Sequence, residues 1–193
     1  MKALIKSMVI LVIGLFALSA CGGKSAVIED GYMKGAPKWV AKGSGAFDGE
    51  KGKIFYGVGS ASNIANHSLL RSTADNRARN ELSKIFETYT ASLMKDYMAS
   101  TTAGNPNVSS EEQHVEQAIK TVTSATLSGV EIIDHWKDPA TGELFSLAQL
   151  DLNAFKDALA KQKELSAQAR DYIRKNADRM HDELEKEEAK RGH

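Results

Sequence analysis

Hydrophobic and polar positions change period several times along the chain, and each change marks an element. Lys53-Ile-Phe-Tyr-Gly-Val-Gly-Ser60 alternates, with Ile54, Tyr56 and Val58 on one face and Phe55, Gly57 and Gly59 on the other, which predicts a strand. Glycines along one face leave room for a helix to lie close. From Asn66 to Ser100 the apolar residues recur every three or four positions, from Leu70 through Ala74, Ala78, Leu82 and Phe86 to Tyr97, with neither Pro nor Gly. This predicts a long helix whose small residues, Ala74 and Ala78, meet the glycine face of the strand. Residues 101–110 read as a loop. Ser109-x-x-Glu112 is a capping box opening a second helix carried by Val115, Ala118, Ile119 and Val122. Val130–Trp136 and Leu144–Leu152 then read as a hairpin around the turn Asp138-Pro-Ala-Thr-Gly142.

The remaining stretches carry weaker patterns. Ala36-Pro37-Lys38-Trp39-Val40 reads as a fixed turn with an aromatic anchor, and Gly43–Gly49 as a loop. Residues 153–191 contain no helix breaker and show a thin apolar stripe of Phe155, Leu159, Leu165, Ala169, Ile173, Ala177, Met180 and Leu184. They predict one long charged helix, packed near its start and free or paired with a partner beyond. The order strand, two helices, hairpin, long helix makes this an α+β chain. It predicts a small antiparallel sheet of about three strands packed by helices, with a long C-terminal helix.

The first twenty residues follow another logic. Lys2 and Lys6 precede the eleven-residue apolar run Met8–Leu18, too short to span a bilayer, which needs about 20 apolar residues. A positive flank, a short apolar run and small residues make residues 1–20 a secretory signal peptide. Leu18-Ser19-Ala20-Cys21 completes it as a lipobox: an aliphatic residue, two small ones, and the only thiol of the chain. The motif resembles that of bacterial lipoproteins. It implies cleavage before Cys21, a diacylglycerol thioether on that sulfur and an acylated new N-terminus, hence palmitate and membrane attachment through lipid. Gly22 in place of Asp implies, by resemblance to the enterobacterial sorting rule, the outer membrane. Residues 21–35, rich in Gly and polar residues, read as the lipidated tether, residues 36–152 as the α+β domain and residues 153–193 as the charged helix.

Composition removes several classes of function. The 193 residues hold 25 basic and 25 acidic side chains, so no basic surplus favours nucleic acid. One cysteine excludes an internal disulfide and an all-thiolate metal site. Gly57-Val-Gly59 has Ser60-Ala-Ser62 where a dinucleotide fingerprint needs its third Gly, and no βαβ unit follows. No Gly-x-Ser-x-Gly elbow singles out a serine nucleophile.

The histidines offer little more. His135 stands beside Asp134 with Glu131 four residues back, and reads as part of a polar strand face. His181 has Glu185 one turn on and Asp178 nearly one turn back, two acidic neighbours where zinc needs three or four ligands in all. In so charged a helix it reads as a solvated i,i+4 pair. Arg77 and Arg79 suit pairing with Asp75 or Glu81 better than capture of an anionic glycan. Trp39 and Trp136 read as core anchors. The chain is therefore expected to be no enzyme, with no catalytic, cofactor or metal residues and Cys21 as its one functional site.

Taken together, Ala36-Pro-x-Trp-Val40, Phe55-Tyr-Gly-Val-Gly-Ser-Ala61, Ala74-x-x-Arg-Ala-Arg79 with Leu82, and the Val130–Leu152 hairpin resemble the LPP-twenty family of bacterial outer-membrane lipoproteins over about residues 36–155. The resemblance implies a small α+β domain at the cell surface or the inner leaflet of the outer membrane, without catalytic residues to carry over. The expected function is a non-enzymatic envelope-structural or interaction module of the outer membrane and periplasm. Its expected contacts are the membrane, through Cys21, and a second copy or an envelope protein, through the sheet edge at Phe55–Ser60 and the C-terminal helix. A motility-associated lipoprotein forming rings under the outer membrane is the alternative. A lipid- or glycan-binding periplasmic protein ranks lower, because aromatic residues make up only 7% of the chain.

Overall fold

The computed structural model describes residues 33–49, 52–101 and 109–191. Nine elements follow in order: α1 (Lys38–Lys42), β1 (Gly45–Gly49), β2 (Gly52–Ala61), α2 (His67–Thr101), α3 (Ser109–Leu127), β3 (Glu131–Lys137), β4 (Leu144–Asp151), α4 (Leu152–Ala160) and α5 (Ala167–Arg191). The fold is α+β, as the pattern predicts, with one antiparallel sheet in the order β1-β2-β4-β3.

Four strands stand where about three were expected. The extra one is β1, read from sequence as a loop because Gly45-Ala-Phe-Asp-Gly49 offers one large apolar residue between glycines. It becomes a strand through pairing: Gly45 lies opposite Tyr56, Phe47 opposite Ile54 and Gly49 opposite Gly52. That pairing also corrects the expected sheet edge, since β2 is interior, flanked by β1 and β4. Only the end of β2 beyond Tyr56 outruns β1, and there the Ser44 hydroxyl accepts from the Val58 N–H at 2.7 Å. The actual edges are β1 and β3. β3 carries Glu131, Asp134 and Lys137, and its register shifts between Ile132 and Asp134, leaving Ile133 45% exposed. Charge and a bulge are common ways to keep an edge strand from pairing with another chain.

The alternation in β2 sorts its two faces as expected. Phe55, Gly57 and Gly59 share a face with Ala46 of β1 and Ser146, Ala148 and Leu150 of β4, and α2 lies across it. The approach is backbone to backbone. A Cβ on Gly57 would stand 2.2 Å from the Ala78 carbonyl oxygen, and one on Gly59 would stand 2.2 Å from the Ala78 nitrogen. On the opposite face lie Phe47, Ile54, Phe145 and Leu147, all buried. There the Lys42 ammonium sits 3.5 Å from the Phe47 ring centroid, and the Trp39 indole N–H donates to Asp134 at 2.8 Å. The hairpin turn forms as its residues dictate: Gly142 takes φ +74°, its N–H donates to the Asp138 carbonyl, and the Asp138 carboxylate accepts from the Ala140 N–H and the Thr141 hydroxyl.

The residues after the hairpin form two helices where one was expected. Asp151 caps α4 by accepting from the Asn153 N–H. The chain then leaves the helix at Lys161, and Leu165 turns into the core. Ser166 caps α5 by accepting from the Ala169 N–H, and the Arg170 guanidinium donates to the carbonyls of Gln162 and Leu165. These bonds satisfy backbone groups that a continuous helix would satisfy itself, so no Pro or Gly is needed for the break. The apolar stripe is thereby used within the chain. Leu165, Ala169, Ile173 and Ala177 belong to the same buried cluster as Phe55, Leu82, Phe86, Tyr89, Ile119 and Phe155, with Met180 and Leu184 packed against it.

In α3 the β-branched end Thr121-Val-Thr-Ser-Ala-Thr stays helical to Leu127. The hydroxyls of Thr121 and Thr126 donate back to the carbonyls of Gln117 and Val122, the i−4 bonding open to Thr in a helix.

Candidate functional site

Cys21, the lipobox and the signal peptide lie outside the described residues, as does His193. Among the described residues the chemically capable groups gather in three places.

The first joins α2 to the sheet. Asp75 Oδ1 lies 2.6 Å from His135 Nε2 and accepts from the Ser146 hydroxyl at 2.7 Å. His135 and Ser146 are opposite each other on β3 and β4, on the face α2 covers. The strand residue read as polar and near an edge thus bonds to a helix 60 positions away. Carboxylate, imidazole and hydroxyl meet in the wrong order for a nucleophile. The hydroxyl bonds to the carboxylate and not to the imidazole that would take its proton. The cluster ties three elements together under the sheet. Arg77 contributes nearby, its guanidinium donating to the Ser60 carbonyl at 2.7 Å, so its partner is backbone and neither Asp75 nor Glu81.

A second cluster lies where α5 crosses the β1–β2 hairpin. His181, read as half of a solvated pair, is fully buried, its ring 5.1 Å from that of Phe55. Its Nε2 lies 3.1 Å from the Ile54 carbonyl oxygen, a pairing that requires the proton on Nε2, and Nδ1 has no hydrogen-bond partner. Burial pushes this imidazole below the ordinary histidine range, helped by the Lys53 ammonium and opposed by the bond to the Ile54 carbonyl and by Glu185 and Asp48. Around it, Lys53 pairs with Asp182, and the Asp48 N–H donates to Glu185 at 3.1 Å. Asp178, the acidic neighbour expected one turn back, is engaged elsewhere, with Lys156. Asp48 and Asp182 take its place, and Asp48 was invisible in this role because its strand was.

The third is a groove of about 580 Å³ between α2 and α3. Met94, Met98, Ile119 and Leu127 line it, with Glu87, Lys95, Glu116 and Lys120 along its rims. The Thr123 hydroxyl is buried there without a partner. No aromatic side chain lines it.

The other singled-out residues are structural or exposed. Neither tryptophan is the core anchor expected: both are half-buried at the sheet surface, Trp136 packing 5.5 Å from the Phe145 ring and Trp39 donating its indole N–H to Asp134. His67 and His114 lie exposed on α2 and α3. The glycines of the incomplete dinucleotide fingerprint face Ala78 and Leu82, filled by helix and not by phosphate. Among the described residues no helix is long and apolar enough to cross a membrane.

No curated protein matches the chain. A family model described as LPP20 lipoprotein matches residues 37–151, from the start of α1 to the end of β4 and more than half of the whole. That span holds Trp39, the glycine face under α2, the Ala74–Leu82 stretch of α2 and the hairpin, the features on which the sequence resemblance rests. The chain belongs to the LPP20 lipoprotein family.

Proposed function

We propose that the protein is a non-enzymatic lipoprotein of the outer membrane, acylated at Cys21, whose α+β domain serves as an envelope-structural or interaction module. One conjunction carries the reading: a lipobox at Leu18–Cys21 stands just ahead of a domain of a lipoprotein family. A thioether-linked diacylglycerol with a further acyl chain gives the two hydrophobic signals that stable anchoring needs, at about 0.8 kcal/mol per buried CH₂. The Asp75 cluster supports a structural role for the domain, since its polar groups are spent on one another. Partners meet the outward face of α5, where Asp171, Arg174, Lys175 and Lys186 are exposed, because the apolar side of that helix is already covered.

The test compares the full chain with Cys21→Ala in cells fed labelled palmitate, followed by separation of inner and outer membranes. Wild type is expected to carry label and to travel with the outer membrane. The variant is expected to lose both label and membrane association, or to persist uncleaved. Label that persists in the variant would overturn the reading.

The groove between α2 and α3 favours a second reading, the binding of an acyl chain, whose apolar lining of Met and Leu suits lipid better than sugar. A fluorescent fatty acid should then bind the full chain, and Leu127→Glu, at a half-buried position of the groove, should abolish the signal while circular dichroism stays unchanged.

A further inference from the structure

The cluster where α5 meets the β1–β2 hairpin is more than a set of surface ion pairs. One ring nitrogen of His181 and one carboxylate oxygen each from Asp48, Asp182 and Glu185 lie within 4.8 Å of one another. His181 is fully buried, and its Nδ1 has no partner. A buried ring nitrogen left unpaired forgoes a hydrogen bond that such groups nearly always make. Its other nitrogen faces the Ile54 carbonyl at 3.1 Å, so the proton sits on Nε2 and the lone pair on Nδ1. That is how metal-binding imidazoles are commonly held: one nitrogen donates to a backbone carbonyl, which fixes tautomer and ring orientation, and the other is left to coordinate.

We propose that His181, Asp48, Asp182 and Glu185 form a binding site for a divalent transition-metal cation of the Zn²⁺ class. One imidazole with carboxylates is a donor set such ions accept. His181 and Glu185, one turn apart on α5, supply two ligands from one helical face. Asp48 comes from the neighbouring strand β1, whose backbone is tied to α5 where the Asp48 N–H donates to Glu185 at 3.1 Å. Donor atoms around one tetrahedral Zn²⁺ stand about 3.4 Å apart. The present spread therefore closes by rotation of the outer carboxylates, of which Asp48 is exposed and Asp182 and Glu185 partly so.

Lys53 now plays the cation's part. Its ammonium pairs with Asp182 and stands 3.9 Å from Asp48, one positive charge among three carboxylates. It hangs from a flexible stem and is 23% exposed, so it can swing to solvent when an ion of higher charge arrives. Three of the four ligands lie on α5, outside the residues 37–151 that match the family. The site therefore belongs to this chain's C-terminal extension of the domain.

The experiment titrates Zn²⁺, and Co²⁺ as a coloured substitute, into the full chain in detergent, chelator-treated and free of any affinity tag. One equivalent is expected to bind, with visible Co²⁺ absorption of a low-coordinate site. Asp48→Asn and Glu185→Gln, both at positions away from the core, should each weaken binding by on the order of tenfold. Lys53→Met should tighten it by about threefold or more, because the competing charge is gone. Circular dichroism checks that each variant is folded. Absence of one-to-one binding, wild-type affinity in either acid variant, or binding no tighter in Lys53→Met would each overturn the site.

Discussion

Gly57 and Gly59 show how much of this fold turns on the absence of two methyl groups. Each would place a Cβ 2.2 Å from backbone atoms of Ala78, and at Gly57 also 2.6 Å from Leu82 Cβ. Backbone on both sides cannot yield as a side-chain tip can, so the clash has to move α2 off the sheet. Gly57→Ala is expected to cost about 3 kcal/mol or more, read from the urea midpoint. Gly43→Ala, with open space around the new methyl and only its backbone at φ +76° and ψ −164° against it, should cost about 1–3 kcal/mol. Two such variants separate close approach from conformational strain in one protein.

At the scale of elements, α5 is the piece whose role most exceeds its sequence signal. Together with Leu165 just ahead of it, it inserts Ala169, Ile173 and Ala177 into the core and places His181 against Phe55. Burial of Leu165 and Ile173 alone supplies about 3–6 kcal/mol, a large part of the 5–15 kcal/mol that holds a typical domain together. A chain ending near Lys161 is therefore expected to lose its cooperative melting transition and to bind hydrophobic dyes, as measured by circular dichroism and dye fluorescence.

Much of the fold could be read beforehand, and the reasons differ by element. β2 and the start of α2 were legible because alternation and small residues were both present and matched. The β3–β4 hairpin was legible because Asp138 and Gly142 bracket its turn. β1 was not, because its strand identity comes from β2 and not from its own five residues. The break between α4 and α5 left one trace, the six-residue step from Leu159 to Leu165, which a continuous helical face does not make. The bonds that cap it come from Ser166 and Arg170, residue types that also occur inside ordinary helices. The second cluster was half legible: the i,i+4 pair His181–Glu185 could be seen, while Asp48 depended on an unseen strand and the burial of His181 on an unseen packing.

For the molecule as a whole, two of the described groups, His181 and Asp138, couple folding to acid. The His181 imidazole is held below its ordinary range mainly by burial, with Lys53 on β2 adding to the effect and Asp48 on β1 and Glu185 on α5 opposing it. Below about pH 6.5 the unfolded chain takes up a proton there that the folded chain refuses, so stability declines as pH falls from that value. The Asp138 carboxylate is held below its ordinary range first by the Ala140 N–H, and also by the Thr141 hydroxyl and the Met33 N–H. Its contribution is present above about pH 4 and is lost as pH falls through its lowered folded value. Urea denaturation is expected to give constant stability from pH 8 to 7, a decline from about 6.5 downward, and a further decline below about 4. His181→Gln should flatten the first decline and leave the second.

The contact of α5 with the first hairpin also fixes an order of events in time. A chain is made from its N-terminus onward, and β2 appears long before either of the pieces that complete it. Its ladder partner β4 ends at Asp151, and the histidine that meets the Phe55 ring is residue 181. Until those residues emerge, a strand with apolar side chains on both faces has only β1 and α2 to cover it. Closing loops that long is slow and leaves apolar strands exposed meanwhile. The domain is therefore expected to close its core only after residue 181 has been made, which limited proteolysis of chains stalled before and after that point would check.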